Sequence, residues 1–357
     1  MPGIPWSVAV PPEVYCEVCG VTMREYHSSP AAQMEVQLRG PELFHKRYGL
    51  PLRRGIAPDF TTYLTASPFG LQFEVFEDQV PAPRGHPLAS IEQAAALTVP
   101  EDMSQAGYFP HALEFYAWMR AHAPEGVNVG FSGGGQAPFT TAVLLRGEGF
   151  LLDLLDQPDL AHRFLQTLTQ NSIRQRTFAL WVAQQADATG AVDAVGAPAS
   201  SWQEPSNWQM PSGWHTPQEA LGFTDDYGGM LGPNLYYDFD VQYMLQIAAH
   251  FGATRKTIHT ELLRQPHLAI LQEHGWGYID VGTDPYLTIA DCREVLHIPF
   301  LVQMKTSAEM LHSTPEAIQA RYREMVAEGA QTVLVELCRG VPEANIRAFI
   351  EVAREYE

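Results

Sequence analysis

The chain has 357 residues, 46% of them hydrophobic and 18% charged, with a net charge of −19. That length holds a large core, as two average domains or as one α/β barrel, and the composition excludes a disordered chain. The charge argues against a nucleic-acid partner, because phosphate binding draws on Lys and Arg clusters that are missing here. No run of 18 apolar residues exists to span a membrane, and "MPGIPWSVAVPPEVY" carries neither the basic nor the apolar region of a signal peptide. Four cysteines (Cys16, Cys19, Cys292 and Cys338) are too few for a disulfide scaffold and suit a reducing cytoplasm.

Residues 1–27 read as an irregular arm. Ser29-Pro30 then starts a helix that Gly49 ends. Short strand-like pieces follow over 55–88, "SIEQAAAL" reads as a Ser-capped helix, and 110–122 as another. From residue 127 the chain alternates. "VNVGFSG" is a strand, 138–188 is mostly helical, and 221–225 is a strand before a helix over 235–251. "KTIHTE" precedes a helix over 263–274, "YIDVG" a helix over 288–296, and "IPFLVQ" a helix over 314–328. "TVLVEL" precedes a helix over 342–356. Strands alternating with helices of this length make βαβ units and a parallel sheet. A closed (β/α)8 TIM barrel is the leading expectation, as one domain over 1–357, and an open doubly wound sheet is second.

One segment breaks the rhythm. Residues 199–217 hold Trp202, Trp208 and Trp214 among Ser, Pro and Gly. They read either as a surface loop packed on its own aromatics or as a lid whose tryptophans stack on a flat ligand. The Gly-rich "FSGGGQAP" lacks the spacing of a nucleotide fingerprint and reads equally as an anion cradle or a tight turn. Cys16 and Cys19 form a lone Cys-x-x-Cys with His27 nearby; no second pair follows, so free thiols are the simpler reading.

Reactive groups of a parallel barrel gather at the carboxyl ends of its strands. Those ends carry Asp225 and Asp226, His259 and Glu261, Asp280, Gln303 and Lys305, and Glu336 and Cys338. Period-2 alternation points His259 and Glu261 to one face. Taken alone, such a pair is as readily a satisfied hydrogen-bonded couple as a site. With Cys338 it makes an imidazole, a carboxylate and a thiolate, a donor set that suits Zn2+ with an open fourth position.

These motifs resemble the uroporphyrinogen decarboxylase superfamily, which also contains zinc methyltransferases acting on corrinoid-bound methyl groups. The likeness rests on "VNVGFSGGGQAPFTTAVLLRG" with "FLLDLLDQPDLAHRFLQTLT", on "TDDYGGMLGPNLYYDF", and on "KTIHTE". It continues in "FLVQMKTSAEMLHSTPEAI" and "VELCRGVPEANIRAFIEVARE". It covers roughly residues 110–357, more weakly the helix at 28–49, and implies a (β/α)8 barrel. Decarboxylases proper carry an Arg-rich segment that grips tetrapyrrole carboxylates, whereas "TMREYHSSP" stands in that stretch here. The methyltransferase branch typically has His-x-Cys on the strand that holds His259 and Glu261, and a Cys after the last strand, where Cys338 stands.

The resemblance therefore implies an enzyme that moves a methyl group between a corrinoid, or a related donor, and a thiol. His259, Glu261 and Cys338 would be the zinc ligands, with Glu261 in place of a thiolate. Asp225 or Asp226 would orient the substrate, Gln303 and the three tryptophans would contact a bound corrinoid, and a separate corrinoid protein and a homodimer are both compatible with it. The rivals are a metal-free decarboxylase and a non-catalytic corrinoid or tetrapyrrole carrier.

Overall fold

The computed structural model describes residues 3–52, 55–188 and 220–357. The 199–217 loop with Trp202, Trp208 and Trp214 lies outside them. Eight parallel strands occur in chain order: β1 Trp6–Ala9, β2 Gly55–Ile56, β3 Asn128–Val129 and β4 Ala220–Asp225, then β5 Arg255–Thr260, β6 Tyr278–Asp280, β7 Phe300–Met304 and β8 Val333–Glu336. Hydrogen bonding runs β1-β8-β7-β6-β5-β4. From β4 it passes through the Gln136–Thr224 bridge to the segment after β3, and β3 pairs with β2. This is the wall of a (β/α)8 barrel, with helices returning the chain between successive strands.

The N-terminal arm is a correction. Residues 6–9 form β1, in register with β8 from Trp6↔Val333 to Ala9↔Glu336, and helices Pro12–Cys19 and Met23–Ser28 follow. Four residues of strand are too few to show alternation, and what fixes them is the edge of β8. Gly20 closes the first helix in the left-handed region, and Thr22 makes a capping box with Glu25 for the second. Cys16 and Cys19 are buried free thiols in a small cluster with Met23, Tyr26 and Val36; burial pushes the Cys16 thiol up to about 12.

Elsewhere the capping signals hold. Ser29 caps helix Pro30–Tyr48, and Thr314 caps Pro315–Glu328, which ends at left-handed Gly329. The long apolar strands, such as Phe300–Met304, are buried on both faces, as a parallel sheet demands. The 235–251 helix contains a π-helical turn over Tyr237–Val241, which rotates Asp240 to a buried position.

Among the described residues no ladder joins β2 to β1. The free edge of β2 and the residues after it are instead bonded by two glutamines one turn apart on helix Pro30–Tyr48. The Gln37 amide accepts from Ala57 N at 2.9 Å and donates to Ala57 O at 2.8 Å. The Gln33 amide accepts from Asp59 N at 2.9 Å and donates to Asp59 O and Tyr26 O, both at 3.3 Å. Side-chain amides thus stand in for a neighbouring strand, and the seam stays open.

Gln33 is fully buried. Replacing it with leucine keeps the volume and strands these backbone groups, so Gln33→Leu should destabilise the protein by ~1–3 kcal/mol. An unchanged urea midpoint would show that the seam does not need its glutamines.

Candidate functional site at the carboxyl rim

Parallel register brings the strand tips to one level: His259 stands opposite Asp280, and Gln303 opposite Leu334, two residues before Glu336. His259 Nδ1 lies 2.9 Å from Asp280 Oδ2. Carboxylates only accept, so Nδ1 carries the proton, and in the neutral imidazole Nε2 keeps its lone pair. Asp280 is itself held by Gly282 N–H at 2.9 Å and by the Gln303 amide at 3.2 Å from each oxygen. The imidazole is therefore oriented from behind, and its Nε2 looks towards Asp226 Oδ1, 4.0 Å away.

Glu261 follows two residues on. Gly282, at φ +59°, lets it through: a Cβ there would sit 3.1 Å from Glu261 Oε1 and 3.5 Å from His259 Cε1. Burial raises the carboxyl pKa of Asp226, Glu261 and Glu336 alike, and the opposing charge that reaches all three is that of His259. The hydrogen bond that His259 donates to Asp280 in turn raises the His259 pKa against its burial. The rim is anionic around one imidazole.

A second layer supports it. Asp225 does not face the mouth: it is 0% exposed and accepts from Thr140 Oγ1 at 2.9 Å, Gly228 N at 3.1 Å and Thr260 Oγ1 at 3.5 Å. Asp240, also 0% exposed, has no fixed donor on either oxygen, and both carboxyls press on Gly228, where a Cβ would lie 2.0 and 2.4 Å from their Oδ2 atoms. Burial raises both pKa values, that of Asp240 well above the usual range and further by its neighbour's charge. Burial and mutual repulsion therefore favour a proton on this pair, with Asp240 the carboxyl pushed up further.

The pair clamps the Gly228-Gly229 turn, and Gly229 sits where a Cβ would be 2.2 Å from Glu261 O. Leu262, next in the chain, has φ +62°, the one positive value outside glycine among the described residues. That conformation costs about 1–2 kcal/mol. It is held on its far side by the Asp284 carboxylate, which accepts from Leu263 N.

Of the residues expected from the sequence, Asp226, His259, Glu261 and Gln303 meet at this rim with Asp280. Cys338 follows β8, where burial and the charges of Glu13 and Glu336 raise its thiol pKa. Among the described residues no three His, Cys, Asp or Glu side chains form a ready metal shell. What fits zinc is the donor chemistry: a histidine with Nδ1 tied to a carboxylate and Nε2 free, which is how metal-binding histidines are held. Asp240, Thr140 and Asp284 escaped sequence reading, since a single buried polar residue on a helix or in a loop carries no motif.

The family model for uroporphyrinogen decarboxylase (URO-D) matches residues 4–198 and 218–356. The chain belongs to the URO-D family. A solved structure titled "methyltransferase from Methanosarcina mazei" superposes with a TM-score of 0.68 at 17% identity, covering 100% of this chain and 95% of that one. At that identity the likeness is one of fold. No curated protein matches. No described helix of this URO-D member is long and apolar enough to cross a membrane.

The buried pair makes stability depend on pH. Carboxyls whose folded pKa lies above the unfolded value of about 3.9 bind more protons when folded, so their stabilisation is present below that value and is lost as pH rises through the folded pKa. The urea midpoint should therefore fall between pH 5 and pH 8. Asp240→Asn keeps a neutral donor to Asp225 and should flatten that fall, and parallel curves for the two proteins would contradict the shared proton.

Proposed function

We propose that this URO-D member is a methyltransferase-like enzyme that moves a methyl group between a corrinoid, or a related donor, and a thiol acceptor. The observation that carries this reading is the His259–Asp280 hydrogen bond, which holds Nδ1 and, in the neutral imidazole, aims a free Nε2 into an anionic mouth. Zinc held by His259, Glu261 and Cys338 would lower the pKa of a bound thiol, so that thiolate forms near neutral pH.

The chain's own groups do the rest. Asp280 fixes the tautomer and plane of His259, and Gln303 fixes Asp280. Asp226, whose Oδ1 lies 4.0 Å from Nε2 and whose pKa burial raises, would take the thiol proton. The strained tip at Leu262 and the clamped glycine turn keep Glu261 beside His259. The missing Arg-rich segment speaks against a decarboxylase that grips tetrapyrrole carboxylates.

The test combines metal content with turnover. Purified protein should carry one zinc per chain, and His259→Ala and Cys338→Ala should lose zinc and methyl transfer together while keeping the fold. Glu261→Cys should hold the metal as tightly or more so. A Cys338→Ala protein that keeps its zinc with normal turnover would put the metal site elsewhere; metal-free protein that decarboxylates a tetrapyrrole would replace the reading.

Zinc affinity should also fall from pH 8 to pH 6. His259, Glu261 and Cys338 all have raised pKa values, so protons compete for their lone pairs to higher pH than usual. A chelator competition that gives one affinity at both pH values would contradict this ligand set.

A further inference from the structure

The open seam between β1 and β2 encloses a cavity of about 1410 Å³ that reaches up to Thr224, Gln136 and Glu336. Its lining is mostly aliphatic, glycine and proline, with a few rings and acceptors. Tyr15 and Tyr26 contribute rings and Asp59 and Glu336 carboxyls, while Trp6, whose Nε1 donates to Glu357 Oε1 at 2.9 Å, belongs to the other end. Gln136 is 3% exposed and its Oε1 has no partner. Beside Glu336, Glu13 Oε2 is also buried without a partner.

Two described cations nearby are already engaged. Arg354, the one cation among the described lining residues, is at the opposite end with Glu357 and donates to Tyr48 O at 3.5 Å. Arg339, next to Glu13, donates to the Glu13 and Asp78 carbonyls. Among the described residues, a ligand that enters the upper cavity meets oxygen acceptors and two tyrosine rings, a setting that favours positive charge on the ligand over a polycarboxylate.

We propose that the seam cavity binds a methylated organic cation, a quaternary ammonium or a sulfonium, and that this cation is the methyl donor. Aromatic rings attract such cations through their faces, and oxygen acceptors such as Gln136 Oε1 take the polarised methyl C–H groups. The donor would sit against the β1, β2 and β8 wall, across the mouth from His259. In the transfer, the C–N or C–S bond breaks with its electron pair left on nitrogen or sulfur. The methyl then bonds to the acceptor thiolate, so a cation and an anion give two neutral products. The donor role rests on the methyltransferase reading above; the binding does not.

The experiment uses the full chain and three probes of one size: choline, its uncharged carbon isostere dimethylbutanol, and the anion pivalate. Titration calorimetry should show choline binding about tenfold tighter than the isostere, the ratio expected of a desolvated cation–π site, and no binding of pivalate. Glu336→Gln should weaken choline several-fold with an unchanged melting temperature. Equal binding of choline and the isostere, binding of pivalate, or choline binding unaffected by Glu336→Gln would overturn the proposal. Choline that binds but never methylates a thiol leaves the site and removes its donor role. Methyl transfer from a corrinoid without choline binding removes the site and leaves the methyltransferase reading.

Discussion

Parallel pairing is the constraint on which this molecule depends. Strands that all run one way need a helix to return the chain each time, and each return delivers the next strand's carboxyl end to the same rim. Register then does the chemistry's positioning: because His259 pairs with Asp280, their side chains meet at 2.9 Å with no loop needed to bring them together. The same constraint explains the N-terminal strand, since β8 would otherwise expose a free edge to water.

The rim is built in two electrostatic halves. On the β4 to β6 side, Asp226, Glu261 and Asp280 surround one imidazole, and a fully buried carboxyl pair fixes the turn beneath them. On the β1 and β8 side, Glu13 and Glu336 stand beside a cavity with tyrosine rings and acceptors in its lining. Burial raises the carboxyl pKa on both sides because their negative charge is poorly solvated there, and a bound cation would relieve that cost. Such a mouth favours positive ligands, whether a metal ion or an organic cation, and disfavours the polycarboxylate that an Arg-rich segment would grip.

Much of the barrel was legible because helix caps and the alternation of apolar strands with amphipathic helices are local signals. Thr314-Pro315 starts its helix in the structure as in the sequence, and polar residues at the tips of β5, β6 and β7 do share a rim. β1 was not legible: its four residues carry no pattern and are ordered by a partner more than 300 residues away. The site divided in the same way. His259 and Glu261 share a face by period alone. The roles of Asp225 and Asp226 could not be told apart from a pair of adjacent aspartates, because what separates them is Asp240, which only the π-turn brings inward. Gln33 and Gln37 read as ordinary helix residues, yet they serve as hydrogen-bonding partners of a strand edge.

The central claim is that a metal ion sits on His259 Nε2 with one sulfur ligand. X-ray absorption at the zinc edge of the purified protein tests it most directly. The account predicts stoichiometric zinc with nitrogen and oxygen scatterers near ~2.1 Å, one of them an imidazole, and a single sulfur near ~2.3 Å. The imidazole signal should disappear in His259→Ala and the sulfur in Cys338→Ala. Stoichiometric zinc with neither signal changed by these substitutions, or protein that never binds zinc when supplied, would contradict it.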